Sequence, residues 1–420
     1  MTKNISISIN KLASLLTLLL FTVNPIGIYL HIQNIIIIFY VIICAFLMFL
    51  AKSHRVRTQK SIILYLWIFY IFIATLSTLL FKRLSYTDLS GIYLAIIFTM
   101  IVYVLTRFWD PIYFWKMFRN LIVIIAVISL FGELLRFNPF LFIKQGTQFA
   151  VVNQDASGAI SALFEFRHYY ALYLVSALIC LWEYPFNKFI NNFLANGILL
   201  INLVLTYTRN AWIAFIVILI VWMLKSRSKT ISLNFIIYMG FTVVIIAILF
   251  MIFQKLFISL TDIVNSRILE VVANKDTYGG VTGVRGYTAQ YGVKYIFDNW
   301  QQYLLIGGGN GFALEWLQFN PFGLMTRWTN AIDVQYVTTF MNTGILGIVT
   351  LFVIYFLNIR KFVKSKSKIV IVFSLIVINF GIMTSFFDVI PFNVSPFLFW
   401  IICICGIDTV QNNLGEQDED

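Results

Sequence analysis

The 420-residue chain is 60% hydrophobic and only 11% charged, with a mean hydropathy of +0.88, whereas charged residues make up about 25% of a soluble domain. This excludes a soluble globular enzyme and indicates a polytopic membrane protein. The net charge of +12 does not point to nucleic acid, because cations in such a chain are first distributed by membrane side.

A membrane span needs about 20 mainly apolar residues. Candidate spans lie at roughly 12–30, 34–51, 61–81, 89–106, 119–135, 168–184, 190–207, 211–224, 231–253, 334–357, 369–387 and 395–411. The expected fold is therefore an all-α integral membrane protein of about twelve transmembrane helices. Residues 1–253 hold the first nine spans and residues 333–411 the last three. Between them lies one large extracytoplasmic loop, 254–332, with short helices of its own; a shorter outer loop covers 137–167. Residues 412–420 form a cytoplasmic acidic tail. Lys3 and Lys11 precede an apolar run without a small-residue cleavage site, so the N-terminus reads as a first span.

Starting with the N-terminus inside, 18 of the 30 Lys and Arg residues fall in short cytoplasmic segments, among them Arg55, Arg107, Lys116, Lys225, Lys361 and Lys368. That bias sets orientation and puts both termini inside. Outside are Lys82, Arg83, Arg136, Lys144, Arg167 and Arg209, with six more in the long loop. Within that loop, Thr288 to Leu305 places Tyr291, Tyr295, Ile296 and Trp300 at helical intervals, as in an amphipathic helix on a membrane surface.

Cys44, Cys180, Cys403 and Cys405 sit in apolar runs, and His31, His54 and His168 are too scattered for a metal site, so no metal is expected. Arg209 opposes the charge bias, and no acidic residue occurs between Glu183 and Asp262 to pair with it. It reads as an anion contact, with an interface-seeking arginine as the alternative. Arg285, between Gly283 and Gly286, is either a second anion contact or a solvated loop charge; Arg267 and Tyr287 are weaker site candidates. Two converging guanidinium groups would bind phosphate oxygens through planar donor forks. Candidate bases on the outer face are Glu165, Asp298, Glu315 and Asp333, the last of which also fits a helix N-cap. Gly307-Gly308-Gly309-Asn310-Gly311 lacks the Lys-Ser/Thr of a nucleotide loop and reads as a tight turn ending the surface helix.

Thr208-Arg209-Asn210-Ala211-Trp212 is similar to the Ser-Arg-Gly-Ala-Trp turn of the O-antigen polymerase and O-antigen ligase superfamily of bacterial envelope glycosyltransferases. Arg285-Gly286-Tyr287, Leu305 to Gly311, and Asp333-Val334-Gln335-Tyr336 running to Gly344-Ile345-Leu346-Gly347 follow in that family's order. The resemblance covers about Phe193 to Phe352 by motif. It implies action on undecaprenyl-diphosphate-linked oligosaccharides at the periplasmic face of the inner membrane, with no cofactor, with Arg209 and Arg285 holding the donor diphosphate, and with a chain-length regulator as a candidate partner. The ligase branch typically has a catalytic histidine near Asn330 to Asp333, and here none follows His168. That departure favours the polymerase branch over a ligase. It leaves Asp333, Glu165 and, more weakly, His168 as candidate bases. A lipid-linked oligosaccharide flippase is the rival of another class.

Overall fold

The computed structural model describes residues 8–29, 32–51, 62–81, 83, 85–135, 140, 160–164, 166–225, 283–320, 334–384 and 395–415. Every regular element among them is a helix: α1 (Ile9–Tyr29), α2 (Gln33–Ala51), α3 (Ile62–Leu80), α4 (Tyr86–Phe108), α5 (Pro111–Leu134), α6 (Arg167–Glu183) and α7 (Phe189–Leu205). These are followed by α8 (Arg209–Lys225), α9 (Gly283–Asp298), α10 (Trp300–Tyr303), α11 (Phe312–Phe319), α12 (Gln335–Lys364), α13 (Lys368–Met383) and α14 (Ser395–Gly415). By length and composition four of them can cross a membrane: Ile62–Leu80, Leu89–Phe108, Pro111–Glu133 and Gln335–Lys364; six further apolar helices are shorter. Eleven of the expected spans coincide with a helix. The expected span 231–253 lies outside the described residues, as do Glu165, Arg267, Asp333 and the tail from residue 416.

The bundle is built around α6, which is buried from Tyr169 to Leu181 and packed by α5, α7, α8 and α13. Next to it Phe21, Phe118, Tyr173 and Phe399 interlock, with Phe118 stacked on Phe399 at 5.0 Å and Tyr173 edge-on to Phe21 at 4.9 Å. All four cysteines are packed inside. Buried amides tie the helices where no water can: Asn202 donates to Ala126 O (3.0 Å) and accepts from Tyr170 (3.1 Å), and Asn379 donates to Leu172 O (3.2 Å). By contrast α2 packs on α1 and α4 and exposes Ile35, Phe39, Ile42, Phe46 and Phe49, the composition of a lipid-facing surface.

The helix ends sort into two groups. At one end Asp110 caps α5 by accepting from Ile112 and Tyr113 N–H (both 3.0 Å), and its own N–H reaches Ser14 of α1 (2.8 Å). At the same end the buried Arg119 donates to Tyr184 O and lies over the Phe186 ring, Trp222 donates to Glu183 (2.6 Å), and Lys225 donates to Val363 O (2.6 Å). At the other end Ile160 N–H meets Leu205 O (3.1 Å), Gln335 N–H meets Thr384 O (3.1 Å), and the residues after α3 meet the segment between α10 and α11.

A further departure from regularity lies inside α12. Gly344 has φ 63° and ψ −161°, and there the helix reverses. Tyr336 stacks on Phe352 with centroids 5.3 Å apart, whereas the same 16-residue separation in a straight helix spans about 24 Å. The single span expected at 334–357 is thus a hairpin of two helical limbs. Only the limb after Gly344, about 20 residues and so about 30 Å, has crossing length.

Candidate functional site

The α7–α8 connection is a tight turn fixed by its own polar groups. Thr206 Oγ1 donates to Leu203 O (2.7 Å) and Trp212 Nε1 reaches back to the same carbonyl (3.1 Å), while Thr206 N–H and Tyr207 N–H take Asn202 O and Val204 O (both 3.0 Å) and Ile160 N–H takes Leu205 O (3.1 Å), so the last carbonyls of α7 are satisfied without water. Ala211 is fully buried, which explains a small residue before the tryptophan. Tyr207 sits at φ 49°, a left-handed conformation costly for a bulky side chain. The other non-glycine residue with positive φ among those described, Ala162, lies across the Ile160–Leu205 bond from it. Backbone strain of this kind clusters at functional sites. Arg209 opens α8 directly after this turn, where the first N–H groups of a helix face outward with the positive end of its dipole.

The glycine run plays a structural part beyond ending the surface helix. A reversal in a helix leaves backbone groups without their usual partners, and membrane proteins must supply others. Here the run supplies them. Gly308 and Gly309 N–H donate to Met341 O (2.9 Å) and Asn342 O (3.0 Å), while Ile345 and Leu346 N–H donate to Leu304 O (2.8 Å) and Leu305 O (3.2 Å). A Cβ on Gly344 would stand 2.5 Å from the backbone nitrogens of Ile306 and Gly307. A Cβ on Gly307 would likewise stand 2.4 Å from the backbone of Asn342 and Thr343, so only glycine at both positions lets the chains cross so closely. Ser77, at the end of α3, donates to Gly307 O (3.2 Å), and Thr78 Oγ1 accepts from Asn310 N–H (2.8 Å).

Above this crossing lies an outer layer, α9 to α11, with its own small core of Ile296, Phe312, Ala313, Trp316 and Leu317 against Val337 and Met341 of α12. The expected surface helix is found as α9 and α10, divided at Asn299. Ile296 and Gly292 point inward, Gly292 against Met341, whereas Tyr291 and Trp300 are exposed. Arg83 ties the layer down: Nε donates to Gly308 O (2.8 Å), the guanidinium pairs with Glu315, and it lies 5.2 Å from the Phe312 ring centroid. Glu315 is thereby engaged as an ion-pair partner. In the sequence Arg83 is one of twelve cations against the charge bias, and only its contacts single it out.

Of the site candidates, Arg209 and Arg285 are placed by backbone, at the first residue of α8 and in the first turn of α9, with Tyr287 two residues further on. Their side chains lie outside the described residues, so their convergence stays a proposal. His168 is the second residue of α6, its ring stacked on Phe166 (5.3 Å) and edge-on to Tyr169 (4.5 Å). Asp298 is exposed at the end of α9. Glu165, Asp333 and Arg267 lie outside the described residues.

Membrane-length helices, a strained turn opening on an arginine, and a helical layer clasped to one end of the bundle define a polytopic membrane protein with one elaborated end. A family model described as O-antigen ligase matches residues 194–352. The matched stretch runs from α7 through the turn, the outer layer and the α12 hairpin to Phe352, the residue on which Tyr336 stacks. Over this stretch, less than half of the chain, the sequence is similar to the O-antigen ligase family. The match does not separate the two branches. No curated protein matches the chain.

Proposed function

We propose that the protein polymerises O-antigen or a related surface polysaccharide at the periplasmic face of the inner membrane, joining repeat units carried on undecaprenyl diphosphate. The observation that carries the polymerase branch is the histidine distribution: His31, His54 and His168 are the only ones, so the position near Asn330 to Asp333 where the ligase branch typically has a catalytic histidine holds none.

In this reading the growing chain on its lipid diphosphate is the donor. The acceptor is a terminal sugar hydroxyl of one incoming repeat unit. The hydroxyl oxygen attacks the anomeric carbon and the bond to the diphosphate oxygen breaks. The diphosphate leaves with the electron pair, while a base takes the hydroxyl proton. Arg209 and Arg285 hold the leaving diphosphate, because fixed cations aimed at charge that develops in the transition state lower the barrier without reorganisation. The strained turn before Arg209 and the dipole at the start of α8 support an anion there. Asp333 is the first choice of base, with Glu165 and His168 next; Arg267 and Tyr287 are further candidates for substrate contact.

The test is expression of Arg209→Ala and Arg285→Ala in cells lacking the native gene, with the surface polysaccharide resolved as a ladder on a gel. Each variant is expected to lower polymer by on the order of 100-fold or more, leaving single repeats on the lipid A core. Loss of every attached repeat would instead indicate a ligase or flippase, and unchanged ladders in both variants would remove the site assignment.

A further inference from the structure

We infer that Arg83 is a positioning residue for the proposed transfer: it holds the outer layer, and with it the first turn of α9 that carries Arg285, in register with the membrane helices. The inference rests on the diphosphate-clamp reading. Arg83 lies outside the stretch matched by the family and just past the end of α3. Its partners, Gly308 O, Glu315 and the Phe312 ring, all belong to the segment that follows α9 and α10. Phe312 in turn touches Tyr303 (4.8 Å) and Tyr295 of α9 (6.1 Å), so a continuous packed path runs from Arg83 into that helix. The Arg83 side chain is 15% exposed, its carboxylate partner 48%. The half-exposed ion pair therefore contributes less than the shielded bond to Gly308 O. A lysine could not make both bonds, because the geometry uses two nitrogens of one planar fork.

Removing Arg83 should tilt the layer and not unfold it, since main-chain bonds still join the glycine run to Met341 and Asn342 and a separate apolar core still packs α9 on α12. The experiment uses the full chain, purified and reconstituted in lipid vesicles. The donor is the lipid-linked repeat-unit fraction extracted from cells that lack this chain, titrated against rate. Arg83→Ala is expected to raise KM about tenfold with kcat within about twofold, while Arg83→Lys and Glu315→Gln each raise KM about threefold. Folded yield should match the wild type by size-exclusion chromatography. A wild-type KM in Arg83→Ala overturns the inference, as does a loss of rate that merely tracks the loss of folded protein. Should Arg83→Ala fail to insert, wild-type KM in both Arg83→Lys and Glu315→Gln overturns it equally. Full turnover in Arg209→Ala and Arg285→Ala brings down the clamp reading itself; wild-type KM in Arg83→Ala while those two variants are inactive brings down only the positioning role.

Discussion

Arg83 and Arg209 both stand against the charge bias of the chain, yet they differ in what surrounds them. Arg83 is explained by partners on the outer layer, whereas the turn before Arg209 is shaped by strain at Tyr207 and by donors directed to Leu203 O. The glycines permit a sharper test at this scale. Gly344→Ala forces a side chain into positive φ, at a cost of about 1–3 kcal/mol, and also against the backbone of Ile306 and Gly307. It is expected to reduce the folded fraction in detergent severely, read by size-exclusion chromatography of a fluorescent fusion. Gly197→Ala, with nothing within 4 Å of the added methyl, should leave the fraction unchanged or slightly higher, because alanine favours the helix by about 1 kcal/mol. Equal behaviour of the two variants would contradict the close crossing.

The helices themselves were legible because apolar runs of spanning length have few alternatives, and α2, α3 and α6 start and stop within a residue or two of their expected bounds. α5 instead begins at Pro111, eight residues before the apolar run expected at 119, since Asp110 and Pro111 form a helix start that hydropathy does not weigh. The α12 hairpin was hidden for a related reason. Hydropathy scores Gly344 as neutral, and its reversal depends on a partner segment more than 30 residues earlier in the chain, through the bonds to Leu304 and Leu305. The motifs were visible as letters; their contact was not. If the hairpin holds in the membrane, cysteines replacing Tyr336 and Phe352 will join through a bifunctional maleimide of about 8 Å reach, because a straight helix would keep them about 24 Å apart. Failure to join, with both cysteines shown to be reactive, would mean that α12 is straight.

At the scale of the molecule, charge and geometry agree. The end bearing Asp110, Glu183 and Val363 also carries Lys11, Arg107, Lys116, Arg119, Lys188, Lys225, Lys361, Lys364 and Lys368, whereas described cations at the other end include Arg83, Arg167 and Lys294. With basic segments retained in the cytoplasm, the first end is proposed to be cytoplasmic and the clasped outer layer periplasmic. The chain then has a parity to satisfy. α8 leaves the outer end at Arg209 and reaches the inner end at Lys225, where Lys225 bonds Val363 O, yet α9 resumes in the outer layer. The span expected from the sequence at 231–253 would satisfy it. Truncations carrying a dual reporter, active as a phosphatase outside and fluorescent inside, should therefore give opposite signals after Lys225 and after Phe319. Phosphatase activity is expected only at the second site. The same signal at both would break the parity, and a cytoplasmic signal after Phe319 would remove the enzyme reading, since a lipid-linked oligosaccharide awaiting polymerisation is presented on the other side.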